Sequence, residues 1–450
     1  MKIYGGFKGF DTGGTHGTTI PNNPDGAGIN TILEGDIGLI GNRGDNLLHI
    51  MYIDGTTGFG DPFQTSEVVL RNLHIQGGVA NDPSFGVNQE GMNGGGIYVH
   101  DAVLSIDRHI WMDNNFAGNN GGAICTRDAA LRMGRGRIKH NFAGNNGGGI
   151  YLDNTPIPAA GADGWKRLSH LYNLDIRDNY AAEYGGGLYL AASHPGSEGG
   201  DGIIHSGFVF ANCLVLYNKA KVGAGIFLAY DDYESLWINN TIAENSAGIT
   251  SGGFYAEKGA TFKIANSIIF DNVGNGNPDN LGYEGPLAPI YTTSKVVQSD
   301  IGDSQFVLGF NGGFVWCNMP VYKDTVFNYV PNFRNAALGD FRLNQSSVCL
   351  DMGDDRHLPF DYMDIDDQGG ATQFQILPLD IARILNGQLA SWRENQIPGP
   401  APGLPSSLVC GPVALTGVDA LAPGSPVTGG RLLNICDLGC YENTWVLVPQ

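Results

Sequence analysis

Asp153, Asp175, Arg177, Asp178, His205, Asp231, Asp232 and Glu234 fall in or beside the segments 152–170, 191–207 and 229–235 of this chain. Two carboxyl groups flanking one glycosidic bond, one as acid and the other as nucleophile or base, hydrolyse that bond. Asp175, Asp178, His205 and Asp231 are the candidate catalytic set for such a reaction. Trp165, Tyr172, Tyr230, Tyr233 and Trp237 are the aromatics available to stack on sugar rings. The same residues have a plainer reading, with aromatics covering edges and acids solvated, and no sequence spacing specifies a paired-carboxylate geometry.

A second pattern suits a metal. Asp364-Ile365-Asp366-Asp367-Gln368-Gly369 has the oxygen spacing of a calcium loop through its sixth position, with Asp364, Asp366 and Gln368 as ligands. The twelfth position is Gln375 where the bidentate Glu belongs, so a turn-stabilising role stands beside the metal reading. Calcium is thus a possible ligand, and no cofactor is required. The 10 histidines show no HExxH spacing, no Gly-rich strand-to-helix phosphate cradle occurs, and Ser or Cys nucleophile motifs are absent. Asn239-Asn240-Thr241 and Asn344-Gln345-Ser346 are glycosylation sequons, meaningful only in a host that glycosylates.

The elements that must position these residues are written in a repeat. Asn115-Phe116-Ala117-Gly118-Asn119-Asn120-Gly121-Gly122-Ala123-Ile124 returns as Asn141-Phe142-Ala143-Gly144-Asn145-Asn146-Gly147-Gly148-Gly149-Ile150. Weaker copies place the same Asn at 179, 218, 245 and 272, so the intervals are 26, 38, 39, 27 and 27 residues. A loop inserted at one fixed corner of a coil explains the two longer intervals. Between the glycine clusters lie short apolar runs, such as 68–75, 171–176, 208–216, 236–242 and 264–270, each read as one strand. The period is too short for a propeller blade and carries no amphipathic helix, which leaves an all-β, right-handed parallel β-helix with a loop-rich C-terminal capping region. In such a coil, Asn ladders bond between turns and tolerate left-handed backbone, Gly pairs form corners, and the Ile, Leu or Phe after each pair points inward.

Composition fits a solenoid. Among 450 residues there are 68 Gly and 22 Pro with only 16% charged, so turns are abundant, while 42% hydrophobic residues suffice for one continuous core. The expected organisation is an N-terminal cap and first turns over 1–60, the repeat region over 61–310, and last turns with a capping tail over 311–450. A net charge of -20 disfavours nucleic acid and anionic membrane surfaces as partners. Cations, glycans, other surface proteins or copies of the chain itself fit that field. No apolar window is long enough to span a bilayer as a helix. Met1 to Phe7 lacks the apolar stretch of a signal peptide, so a mature or trimmed form, or export by another route, is expected. Of seven cysteines, Cys125 and Cys213 read as small buried hydrophobes, while Cys410, Cys436 and Cys440 lie in a Pro/Gly-rich tail where a disulfide would help most.

The paired Gly-Gly-(Ala/Gly)-Ile and Phe/Tyr-Ala-x-Asn motifs resemble the repeat of polymorphic outer-membrane proteins, found in secreted bacterial β-helix proteins. Tyr4-Gly5-Gly6-Phe7 and Thr31-Ile32-Leu33-Glu34-Gly35-Asp36 resemble their opening turns, and Pro331-Asn332-Phe333, Gly339-Asp340-Phe341-Arg342-Leu343 and Asp437-Leu438-Gly439-Cys440 their closing segment. The resemblance departs at Val348, at Cys440 and in an insertion of about 40 residues between Gly387 and Asp437. It implies a non-catalytic extracellular or cell-surface scaffold, adhesive or structural, with open coil ends through which copies stack into filaments unless capped. The alternative is a polysaccharide lyase or glycoside hydrolase working in a groove beneath the three long loops.

Overall fold

The computed structural model describes residues 31–37, 44–55, 66–108, 110–153, 169–191, 208–229, 235–257 and 262–283, with shorter pieces at 2–4, 260, 295–297, 299–301, 326–327, 330–344, 346–347, 349, 360–361 and 377–378. These residues wind into a parallel β-helix. One coil runs through Ala130–Lys139, Phe142–Ala143 and Ile150–Asp153, and the next through Ser169–Arg177, Tyr180–Ala181 and Leu188–Ala191. Successive coils pair in parallel register, with Ile138 beside Ile176, Phe142 beside Tyr180 and Ile150 beside Leu188. The stacked strands make three sheets: a wide one of 17 strands, a narrow one of 8 two- to five-residue strands, and a closing one of 8.

The wide sheet is folded along its length into a leading and a trailing column. The crease is a left-handed residue in six of the coils among the described residues: Asn72, Arg135, Asn173, Asn212, Asn239 and Asn266 have φ of 53°, 55°, 61°, 55°, 55° and 49°. Runs that read as single strands therefore divide, 68–75 into Ser66–Arg71 and Leu73–Gln76, and 208–216 into Phe208–Ala211 and Leu214–Leu216. Asparagine takes this conformation at lower cost than other side-bearing residues, and its position inside an apolar run is the sequence signal for the bend. Just past the crease a small inner stack closes the gap. The Cys213 amide donates to Asn240 Oδ1 at 2.9 Å, and the Asn240 amide donates to Ser267 Oγ at 3.1 Å.

The asparagines of the repeat form a second, longer ladder. The backbone and side-chain amides of Asn141 both donate to Oδ1 of Asn179, at 3.0 Å each, and Nδ2 also reaches the carbonyl of Met112 at 3.1 Å. The same arrangement links Asn115 to Asn141, Asn179 to Asn218, Asn218 to Asn245 and Asn245 to Asn272. All six are buried. The ladder residue itself is not the left-handed one; that role falls to the residue before it, His140, Asp178, Tyr217, Glu244 and Asp271 among them, with φ of 53° to 58°. Gly147 takes the next corner at φ 65°, and a Cβ on Gly122 would come within 2.3 Å of the Gly148 carbonyl, so that corner admits little else.

Inside, one apolar residue per coil stacks after each glycine corner: Ile97, Ile124, Ile150, Leu188, Ile226, Phe254 and Leu281, none more than 1% exposed. Trp237 belongs to this core as well. It packs on Phe208, Phe210 and Phe254 and donates Nε1–H to Ser235 Oγ at 2.8 Å, which corrects its expected role as a sugar-stacking surface residue.

The narrow sheet ends abruptly. Asn277–Pro278 turns back antiparallel onto Val273–Gly274, and Asn280 takes the next position of the asparagine ladder after 8 residues instead of 27, accepting from Asn272 Nδ2 at 2.9 Å. Farther on, Phe333–Asn335 and Asp340–Leu343 form a hairpin that lies against the flank of the coil. Phe341 packs on Leu214, Leu216 and Ala243, while Leu343 and Cys349 pack on Ile268. Tyr217 Oη donates to the Ala336 carbonyl at 2.8 Å. Cys125, Cys213 and Cys349 are buried and unbridged.

Replacing Asn179 with Ala takes the acceptor from both Asn141 amides and the side-chain donor from the Ile138 carbonyl, all in the preceding coil. At about 1–3 kcal/mol for each unsatisfied buried group, we expect Asn179→Ala to lower unfolding stability by roughly 3 kcal/mol. Chemical denaturation measures this, and a loss below about 0.5 kcal/mol, the size typical of a surface substitution, would deny the ladder its role.

Candidate functional site

The outward residues of the trailing column form an ordered grid. In one row, His74, Trp111, Arg137, Asp175 and Leu214 follow one another by register; in the next, Gln76, Asp113, Lys139, Arg177 and Leu216. The alternation that sends these residues out sends Ile75, Met112, Ile138 and Ile176 into the core, each fully buried. From Leu214 onward the outward face is mostly apolar, with Thr241 buried between Leu214 and Ile268, and Leu214, Leu216, Ala243 and Ile268 pack with the 333–343 hairpin; before it, the face is polar and aromatic.

The polar half is cross-linked between coils. His74 Nε2 lies 3.0 Å from Asp113 Oδ2, and the His74 ring meets Trp111 edge-on with centroids 5.9 Å apart. Arg137 stands over the Trp111 ring at 5.6 Å and donates Nε–H to Asp175 Oδ2 at 3.1 Å. Arg177 donates to the other oxygen, Asp175 Oδ1, at 2.5 Å. Trp111 remains 41% exposed and the Arg137 side chain 45%.

This grid sets the candidate catalytic residues in place. Asp175 is held on both oxygens by guanidinium groups, the arrangement of a positioned bridge. Asp178 lies at the corner beyond it, with φ 55°, and its carboxylate is 3.9 Å from His140 Nε2. The two therefore occupy an open face and an adjoining corner. His205 and Asp231 lie outside the described residues, as do Asp364, Asp366 and Gln368 of the calcium reading, Trp165, Tyr230 and Tyr233. Tyr172 sits in the leading column, its ring against Gly134 of the preceding coil. The long loops all leave from one corner, after Ile150–Asp153, Leu188–Ala191 and Ile226–Leu228, and the chain rejoins at the leading column. Asp175 lies past the crease, in the column beyond that corner.

Trp111, Arg137 and Lys139 were not singled out from sequence. Their signal was present: Arg132, Arg135, Arg137, Lys139 and His140 crowd one short stretch of a chain carrying 25 basic against 45 acidic residues.

Residues 112–127 match the Chlamydia polymorphic membrane protein (Chlamydia_PMP) repeat. The match runs from the end of the Trp111 strand through Asn115 and the Gly121 corner to Arg127 in the closing sheet. A repeat of that type is therefore one passage round two corners of the coil, and by register the later coils repeat the passage at 141–153 and 179–191. No curated protein and no solved structure matches the chain. No helix among the described residues is long and apolar enough to cross a membrane.

On the leading column, His170 stacks in register beside Arg132 and is buried. Burial first, and then the Arg132 charge, hold its pKa down at about 3. An unfolded histidine titrates near 6.5, so the unfolded chain takes up a proton that the folded chain refuses. Stability is complete above about pH 6.5 and falls as pH drops toward 3, by at most about 1.4 kcal/mol per pH unit from this group. We expect His170→Gln to flatten the acid side of the stability curve; an unchanged slope between about pH 6 and 4 would rule that contribution out.

Proposed function

We propose that this chain is a bacterial cell-surface β-helix scaffold of the polymorphic membrane protein type, which meets its partners through the outer faces of its sheets and does no chemistry on them. The observation that carries this reading is the rung-by-rung bonding of the carboxylates on the outward side of the trailing column. Asp175 is engaged by Arg137 and Arg177, and Asp113 by His74. Side chains spent on cross-linking coils suit a rigid display surface. The matched repeat supports a surface location, and a net charge of -20 favours solubility and an extracellular role over nucleic-acid contact.

Adhesion to glycans or other surface proteins is the finer part of the proposal. Filament growth by end stacking is limited at one end of the narrow sheet. There Asn277–Pro278 faces outward, antiparallel and partly without the N–H that a further parallel strand needs. Discrete particles fit that closure better than open filaments.

A glycan array paired with reducing-sugar and unsaturated-product assays on the same polysaccharides, in calcium and in chelator, tests the reading. Binding without turnover is the expected result. Product formation would replace the scaffold with a lyase or hydrolase and direct attention to the loop corner; calcium-dependent binding would bring in Asp364, Asp366 and Gln368 as metal ligands.

A further inference from the structure

We infer that Trp111, Arg137 and Lys139 form a binding site for an acidic polysaccharide, one whose sugars carry carboxylate or sulfate groups. The inference rests on the scaffold reading only in treating the outer face as a contact surface. It assigns that face one place and one ligand chemistry.

Arg137 is the centre of the argument. Its Nε–H is spent on Asp175 and its guanidinium carbon stands over the Trp111 ring at 5.6 Å. The Arg137 side chain makes no other bond among the described residues and is 45% exposed, which leaves its terminal nitrogens for a ligand. A pre-positioned guanidinium is the group that binds carboxylate or sulfate oxygens in pairs, and its ordering cost is already met by Trp111 and Asp175. Two residues along the same strand, Lys139 leaves on the same side of the sheet, and its ammonium has no partner among the described residues. Arg177 stands beside Lys139 in the next coil. With Asp113 and Asp175 counted against Arg137, Lys139 and Arg177, the patch keeps an excess of positive charge in a chain of net charge -20, and an anionic ligand is its complement.

Trp111 decides between polyanions. Its ring is 41% exposed in the coil next to Arg137, and an exposed indole offers apolar contact to the C–H faces of a sugar. Coils follow one another at about 4.8 Å, close to the length of a pyranose unit in an extended chain, so successive sugars meet successive coils. The net charge of -20 opposes every polyanion alike, so the preference for a sugar chain over nucleic acid rests on the exposed Trp111 ring and the coil spacing. The face is also bounded: past Asp175 it becomes the apolar bed of the 333–343 hairpin, with Gly339 at the hairpin turn near the Arg177 guanidinium.

The test measures binding of the whole chain to immobilised polygalacturonate, dextran sulfate, uncharged dextran and duplex DNA at low and physiological salt. Trp111→Ala, Arg137→Gln and Lys139→Gln are the site variants, and Lys219→Gln, exposed on the narrow sheet, is the control. We expect retention on one or both acidic polymers, with about tenfold weaker binding for Arg137→Gln and for Lys139→Gln, the size of one lost charge-assisted bond. Trp111→Ala weakens binding to the sugars, Lys219→Gln does not, and thermal unfolding of all four stays near that of the parent. Retention on polygalacturonate alone identifies the carboxylate as the recognised group, and retention on dextran sulfate alone identifies the sulfate. Equal binding of dextran or DNA, no binding of either acidic polymer, or site variants that bind like the parent would overturn the inference. In the last case, a parent that still binds its glycans leaves the scaffold reading intact and moves the site elsewhere.

Discussion

Every part of this molecule depends on coils stacking in register, and the buried asparagine ladder is the interaction that enforces it. Each asparagine gives its backbone and side-chain N–H groups to the Oδ1 of the next and sends a second side-chain hydrogen to a carbonyl of the coil before. A slip of one residue would leave these groups unpaired in a dry interior, where each costs more than an ordinary surface hydrogen bond returns. Variation in loop length is absorbed elsewhere. Intervals of 26, 38, 39 and 27 residues between ladder members produce the same bond.

That register also lays out the surface. Because side chains at one position recur in a line along the axis, a row is either a stripe of one character or a gradient along it. Phe116, Phe142 and Tyr180 stack face to face at about 5 Å, as do Tyr151, Tyr189 and Phe227. The trailing column is a gradient: polar and aromatic from His74 to Arg177, then mostly apolar from Leu214 to Ile268, with Thr241 between them. The hairpin accounts for the change, since Phe341 and Leu343 bury the apolar half, and the polar half is what remains in contact with water.

The fold was legible in the sequence because a solenoid writes its geometry repeatedly. The Asn and Gly-Gly positions gave the corners, and the apolar residue after each glycine pair lies inside as the pattern required. The crease in the wide sheet was harder to see, since Asn212 and Asn239 sit within apolar runs that satisfy a strand pattern on either side. Trp237 was misplaced for a related reason: alternation gives its side only once the crease is located. The candidate site was less legible. Asp175 and Arg177 were found by their charge, two residues apart on one strand, but Arg137 lies one coil back, and only the stacking register makes it their neighbour. Most of the expected capping tail over 311–450 lies outside the described residues; the 333–343 hairpin within it packs on the flank, against the apolar residues Leu214, Ala243 and Ile268.

The corner after the closing sheet has a further consequence. The asparagine and glycine corners are fixed by bonds between coils, but the segments following Asp153, Ala191 and Leu228 vary in length while the strands that leave and rejoin there keep their register. Lengthening the chain at this corner disturbs neither ladder. Length can therefore change at this one edge while the inner frame is kept, and foreign peptides grafted there would be displayed in a column at coil spacing.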